Sequence, residues 1–291
     1  MTGSAVGGAD VHPGSTDRVV IDGGFSDVLA RVAVVGDPPT GGSARWLARW
    51  YDAAQLGSVV AEPPPGDGPV LVLGERRFER EVGREAALLA DRLDVGVARR
   101  LLPHGPLAVR YLAETAAENW VLGAAVAVEL LDRAAAGTFS AAWMPRVGSL
   151  SSPAPSLGQH LRSWLPGGRG FLAVHVPGDR VHAVTQLDHV LAPEGRGPLL
   201  VGGDLPDHVR DAVLAGTGCQ AAYEVDAVVA PRARYGSDRA VELVALPADV
   251  PSLLARHAEG SSCAVCGLSH SGPSCPFCHA GAVPLDVRGD Q

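Results

Sequence analysis

The chain has 291 residues, 46% apolar and 19% charged, which suits one large folded domain or two ordinary ones and excludes a disordered chain. Its 24 basic residues are all arginine, so there is no Walker-A lysine and no Schiff-base lysine. Ordinary P-loop NTPases, pyridoxal-phosphate enzymes and Schiff-base aldolases are thereby ruled out. A net charge of −8 with scattered arginines argues against a nucleic-acid partner, and a single isoleucine and single asparagine match the coding bias of a high-GC bacterium.

Residues 1–17 are polar and glycine-rich and read as a flexible tail. They carry neither the basic nor the apolar segment of an export signal, so a cytoplasmic location is expected. An N-terminal α/β domain is expected over 18–145. Its strands are Val19–Asp22, Val32–Val35, Gly57–Ala61 and Val70–Leu73. Ser43 reads as the N-cap of a helix through Trp46, Leu47, Trp50 and Tyr51, and a charged helix follows from about Glu75 to Leu93. Pro106 at a first turn and Gly137 at an exit frame one long helix to about Ala136, with Val109, Leu112, Ala116, Trp120 and Ala127 on an apolar face. Its most apolar run, Val121 to Val128, is too short to span a bilayer, so no membrane association is expected.

Serine, glycine and proline then mark 146–158 as a linker. A second α/β domain is expected over 159–258. It opens with a short helix over Gln159–Leu165 and a hairpin of Phe171–Val176 and Arg180–Leu191 around Pro177-Gly178-Asp179. A strand over Leu199–Val201, a helix over Asp207–Ala215, strands over Ala221–Val229 and Val241–Leu246, and a short helix to His257 complete it. The fold class is therefore α/β, a mixed-sheet body in two halves, with a small C-terminal module over 259–291.

That module carries the strongest motif. Cys263-Ala264-Val265-Cys266 and Cys275-Pro276-Phe277-Cys278 are two Cys-x-x-Cys turns separated by eight residues. Each can aim two thiolates at one ion, completing a tetrahedral shell that suits zinc. The segment resembles the zinc-ribbon class of modules, a resemblance that covers about twenty residues and implies a structural metal. His270 and His279 are expected to face solvent, leaving Cys263, Cys266, Cys275 and Cys278 as the ligands. The short spacing also suggests a ribbon that folds as a separable unit.

Catalytic candidates are weaker. A four-residue hairpin loop would place His175 directly opposite His182, close enough to share a metal or a substrate, with His208, Asp188, His189, Asp204 and Asp207 as further polar groups. A surface-histidine role is the plainer alternative. The glycine-rich loop Gly36–Ser43 and Asp22-Gly23-Gly24 are weak phosphate-binding suspects, and Cys219 reads as a packed core thiol. These features imply an accessory or adaptor protein whose zinc ribbon contacts a protein partner. The alternatives are a hydrolase or transferase with a site in the His175–His208 region, or a nucleic-acid or translation-associated factor.

Overall fold

The computed structural model describes residues 31–37, 49–52, 68–165, 168–187, 196–248, 261–270 and 272–280. The strands expected at Val19–Asp22 and Gly57–Ala61, the helix to His257 and most of the Gly36–Ser43 loop lie outside these residues.

Two sheets organise the chain. The first is fully parallel, in the order β2 (Arg49–Asp52), β1 (Val32–Gly36), β3 (Val70–Glu75), β4 (Val97–Leu102). The unbroken apolar runs of β1 and β3 are those of central strands buried on both faces. Side chains alternate between two cores, as strand geometry requires. Ala33, Val35, Val70 and Val72 meet Val82, Ala86 and Leu89 of α1 (Glu79–Leu93). Val32, Val34, Leu71 and Leu73 meet α2 (Pro106–Glu118) and α3 (Ala124–Gly137) on the other side.

The second sheet has six strands, in the order β7 (Arg180–Ala183), β6 (Phe171–Val176), β5 (Phe139–Met144), β10 (Val241–Pro247), β8 (Arg196–Gly202), β9 (Ala222–Glu224). All its pairings are antiparallel except that of β8 with β9. One face carries Phe139, Ala141, Leu172, Val174 and Leu243 against Val209 and Val213 of α5 (Asp207–Thr217). The other carries Ala142, Met144, Phe171 and Ala173 against Tyr235 of α6 (Pro231–Tyr235). A short α4 (Leu157–Ser163) begins with a Ser156–Gln159 capping box.

Helix α2 belongs to both halves. Val109, Leu112 and Ala113 pack on the first sheet, while Leu107 and Ala108 pack with Val244 of the second. The mixed α/β body expected from the sequence is what forms, and several local readings change. The single helix from Pro106 is two helices, interrupted by a 3-10 turn over Trp120–Leu122 and by Gly123 at φ 114°, a backbone angle only glycine adopts freely. Trp50 and Tyr51 lie in strand β2, because pairing with β1 overrides the local helix signal. Strand β5 was invisible in the sequence and is central to the second sheet, and β4 was hidden by Arg99 and Arg100 on an edge strand. Within 146–158, Val147 and Leu150 are buried core residues.

The cysteine segment closes the first core. Cys263, Cys275 and Phe277 belong to the same buried cluster as Leu112, Ala127 and Leu131. Phe277 lies against Gly96, and the Gly272 amide donates to Glu129 of α3 at 2.9 Å. These contacts correct the expectation of a separable ribbon. His270 is likewise buried, its Nδ1 donating to the Gly272 carbonyl at 3.0 Å, whereas His279 is exposed as expected. A Phe277→Ala variant should lose about 3 kcal/mol of global stability, the usual cost of emptying a packed aromatic site. Urea unfolding should show one cooperative transition at a lower midpoint; a separate early transition confined to the ribbon would restore the separable unit.

Candidate functional site

In open parallel sheets, ligands bind outside the carboxyl ends of the strands, where the connections diverge. Here that position holds a buried polar cluster. Asp37 directly follows β1, Glu75 ends β3 and Arg77 lies in the 3-10 turn after it. His104 and Gly105 separate β4 from α2. From the second sheet, β6 contributes His175, α6 contributes Arg234 and Tyr235, and β10 contributes Glu242.

Two hydrogen-bonded groups result. Arg234 Nε donates to Glu75 Oε2 at 2.6 Å, with both side chains buried. Arg77 donates through Nε and Nη2 to Glu75 Oε1 at 3.1 and 2.9 Å, and its Nη2 also reaches Asp37. In the second group, the Tyr235 hydroxyl donates to Glu242 Oε1 at 2.7 Å, and the Leu107 amide in the first turn of α2 donates to Oε2 at 3.1 Å. His175 Nε2 lies 3.5 Å from the Tyr235 oxygen. A carboxylate thus occupies the positive end of a helix. Gly105 makes this possible: a Cβ there would sit 2.6 Å from Glu242 Oε1 and 2.8 Å from the Tyr235 oxygen.

Burial sets the protonation states. Desolvation pushes the Glu242 carboxyl up to about 7, with the nearby Glu75 charge adding to the effect against the Tyr235 and Leu107 hydrogen bonds. Desolvation lowers His175 to about 3, helped by the Arg234 charge, and lowers His104 to about 4. Both imidazoles are therefore neutral near pH 7. Since a carbonyl can only accept, His104 carries its proton on Nε2, 3.1 Å from the Ala135 oxygen.

The histidine pairing expected from the sequence does not form. The observed register sets His182 opposite Leu172 and Arg180 opposite Val174, so a five-residue connection replaces the four-residue loop. His175 is buried as the extra residue of a β-bulge between the pairs Ala141–Val174 and Ser140–Val176, a feature that re-aims a side chain. His182 is partly exposed. His208 is exposed on α5, which packs on the face of the sheet opposite Tyr235. Asp204 and Asp207 are exposed, Cys219 is buried, and Asp188, His189 and Asp22-Gly23-Gly24 lie outside the described residues. Glu75, Arg77, Arg234, Tyr235 and Glu242 belong to no motif. A lone carboxylate within the apolar run Val241–Leu246 was the one legible sign.

The four cysteines do converge. Their sulfurs all lie within 4.8 Å of one another, with Cys263–Cys278 at 3.3 Å and Cys266–Cys275 at 3.5 Å. A tetrahedral ion with bonds of about 2.3 Å needs sulfurs about 3.8 Å apart, so the set fits one metal ion. The two knuckles repeat each other. Gly267 and His279 each follow the second cysteine in the left-handed region, and their amides donate to the Cys263 and Cys275 carbonyls at 2.9 and 3.0 Å. Cys263 and Cys275 amides then donate to Leu268 and Ala280 at 2.9 and 3.0 Å.

A separate cavity of about 390 Å³ opens beside β10, lined by Trp143, Gly202, Pro206, Ala227, Pro231 and Val241, among others. It adjoins the polar cluster through β10 itself, since the Cβ position of Gly202 lies 3.5 Å from Glu242 Cβ.

No family model matches the sequence, and no curated protein matches it. Solved structures do share its architecture. A DegV family protein from Corynebacterium glutamicum superposes with a TM-score of 0.55 at 14% identity, over 77% of this chain and 98% of its own. One from Eubacterium eligens, loaded with heptadecanoic acid, gives 0.53 at 11% identity, over 75% and 99%. A third, from Ruminococcus gnavus and solved with vaccenic acid, gives 0.52 at 10% identity, over 75% and 100%. The chain has a DegV-like fold. The expectation of an adaptor with a protein partner is corrected accordingly: two of these structures were solved with fatty acids, and the ribbon turns Phe277 into the core instead of presenting it. The enzyme reading built on His175 and His208 and the translation-factor reading give way with it. Among the described residues no helix is long and apolar enough to cross a membrane.

Glu242 makes a pH signature. Its folded-state pKa is raised, so between about 4.5 and about 7 the folded chain holds a proton that the unfolded chain has released, and this group's contribution to stability falls as pH rises. A Glu242→Gln variant escapes that loss. Its stability relative to the unsubstituted chain should improve by about 2 kcal/mol from the bottom to the top of that window. Chemical denaturation of both proteins at the two pH extremes checks the sign; a difference that stays constant would show Glu242 ionised throughout.

Proposed function

We propose that this protein binds a fatty acid within the body of the fold. The observation that carries this reading is a fold shared over nearly the whole length of proteins solved with heptadecanoic and vaccenic acids. The chemistry is compatible. Each methylene removed from water contributes about 0.8 kcal/mol, so an apolar cavity supplies affinity and a few placed polar groups supply orientation. The cavity beside β10 has the volume range of small-molecule sites, with a mixed lining in which Asp204, Asp238 and Arg239 join Trp143, Pro206 and Val241. Protein purified from its producing cells should release, on solvent extraction, about one equivalent of a long-chain acid by mass spectrometry. Delipidated protein should regain it with a rise in melting temperature. Protein that neither carries nor takes up any long-chain acid would refute the reading.

We further infer that Cys263, Cys266, Cys275 and Cys278 hold zinc in a ribbon-type module. Four thiolates leave no open coordination position, so the ion is structural. Because Cys263 and Cys275 also line the first core, the ion would fasten the C-terminal segment to α2 and α3. Native mass spectrometry should show one zinc per chain, absent from a Cys263→Ser, Cys275→Ser double variant, which should also melt lower. Undiminished zinc in that variant would mean that other residues bind it.

A further inference from the structure

The two halves of the molecule meet along an apolar side and a polar side. On the apolar side α2 and α3 both touch β10. Leu107 and Ala108 of α2 pack there with Val228, Val229 and Val244 of the second half. The chain itself crosses at this side, from α3 into β5 at Gly137–Thr138, and a Cβ on Gly137 would lie only 2.8 Å from Pro247 Cγ. Parting these surfaces would return apolar groups to water, at about 25 cal/mol for each Å². The polar side differs in kind. Asp37, Arg77 and Glu75 belong to the first half, and Arg77 donates to both carboxylates. Arg234, on α6 of the second half, meets the inner end of this row through Glu75 at 2.6 Å. Side-chain exposure falls along the row, from 31% and 23% at Arg77 and Asp37 to 5% and 8% at Glu75 and Arg234. Next to the inner pair lie His175, Tyr235 and Glu242, all buried.

We propose that Arg234 and Glu75 form a clasp between the two halves, which part on this side by pivoting on α2 and α3 and so open a way to the buried polar groups. A buried ion pair is a reversible fastening. Opening hydrates both charges together, which offsets much of the attraction given up, whereas apolar packing has no such offset. The halves therefore part more readily at the clasp than along α2, as a local opening short of global unfolding. Glu75 is the socket, fixed by Arg77 and through it by Asp37, and Arg234 is the piece that leaves it. The clasp works without a ligand, so it stands apart from the fatty-acid reading. The opposite end of the first sheet stays closed, because Phe277 lies against Gly96 just before β4, at the amino end of strands whose carboxyl ends carry the clasp.

The test is modification of histidines by diethylpyrocarbonate at pH 7, followed residue by residue by mass spectrometry on the full-length protein. Burial keeps His175 neutral at this pH, so its imidazole reacts whenever the reagent reaches it. His208, exposed on α5, sets the unhindered rate, and His270, buried beside α3 at the ribbon, is the control. Raising sodium chloride from about 0.01 M to about 1 M shortens the screening length from about 30 to about 3 Å. Separated charges gain more from this than the closed pair, so His175 labelling relative to His208 should quicken about threefold or more. Arg234→Gln removes the link between the halves while Glu75 keeps both bonds from Arg77, and it should quicken His175 labelling about tenfold. His270 should be unaffected in both comparisons. A His175 rate that ignores salt and substitution alike would overturn the clasp. So would acceleration of His270 in step with His175, since the whole fold would then have loosened and the pair would serve stability alone. Should Arg234→Gln fail to fold, the salt series on the unsubstituted protein decides the matter by the same two readings.

Discussion

The hydrogen bonds that Glu242 accepts from the Leu107 amide and from Tyr235 are the constraint on which the remaining architecture depends. They fix the N-terminus of α2 to the second sheet while the body of the helix packs on the first. One helix therefore sets the relation of two sheets that share no strand. The cost is a carboxyl group removed from water, which the helix dipole and the phenol offset only in part, leaving its affinity for a proton well above that of an ordinary glutamate. A second link between the halves, the Glu75–Arg234 pair, crosses the same gap a short way off. Polar groups, not apolar ones, thus bridge the gap at the carboxyl ends of the parallel strands.

The cysteine knuckles act on the other end of the same helical layer. Their inner sulfurs and Phe277 complete a cluster that α2 and α3 leave open, and Glu129 reaches out of α3 to the Gly272 amide. A segment this short has too few apolar side chains to fold alone, so a bound ion would supply most of its organisation. Placed against α3, that organisation passes into the main core. A four-cysteine cluster that looks peripheral in the sequence is therefore a wall of the first half of the molecule.

Legibility varied with the range of the interactions involved. Strands β1 and β3, helix α1 and the turn at Gly178 follow from residues adjacent in the chain, and each formed where periodicity or turn chemistry placed it, whereas α4 begins two residues earlier than expected, behind a Ser156 cap inside the segment read as a linker. Strand β5 carried two alanines and a serine among its six residues, too weak a pattern to recognise, and became a strand because β6 and β10 supply its hydrogen bonds. Trp50 and Tyr51 were pulled from a local helix signal into β2 by pairing with β1. His175 and His182 were separated because the register depends on the length of the loop, which a Pro-Gly-Asp signal marks without measuring.

The sequence by itself determined the absence of lysine chemistry, the mixed α/β class and the four thiols that converge within sixteen residues. Each of these rests on composition or on neighbours close in the chain. Only the tertiary structure decided that Glu75 meets Arg234 across 159 positions and that Glu242 meets Leu107 across 135. No local pattern records such pairs. Their partners are chosen by which strand ends and helix starts the two sheets bring together, and a lone glutamate or arginine looks the same in the sequence whether it will be solvated or buried.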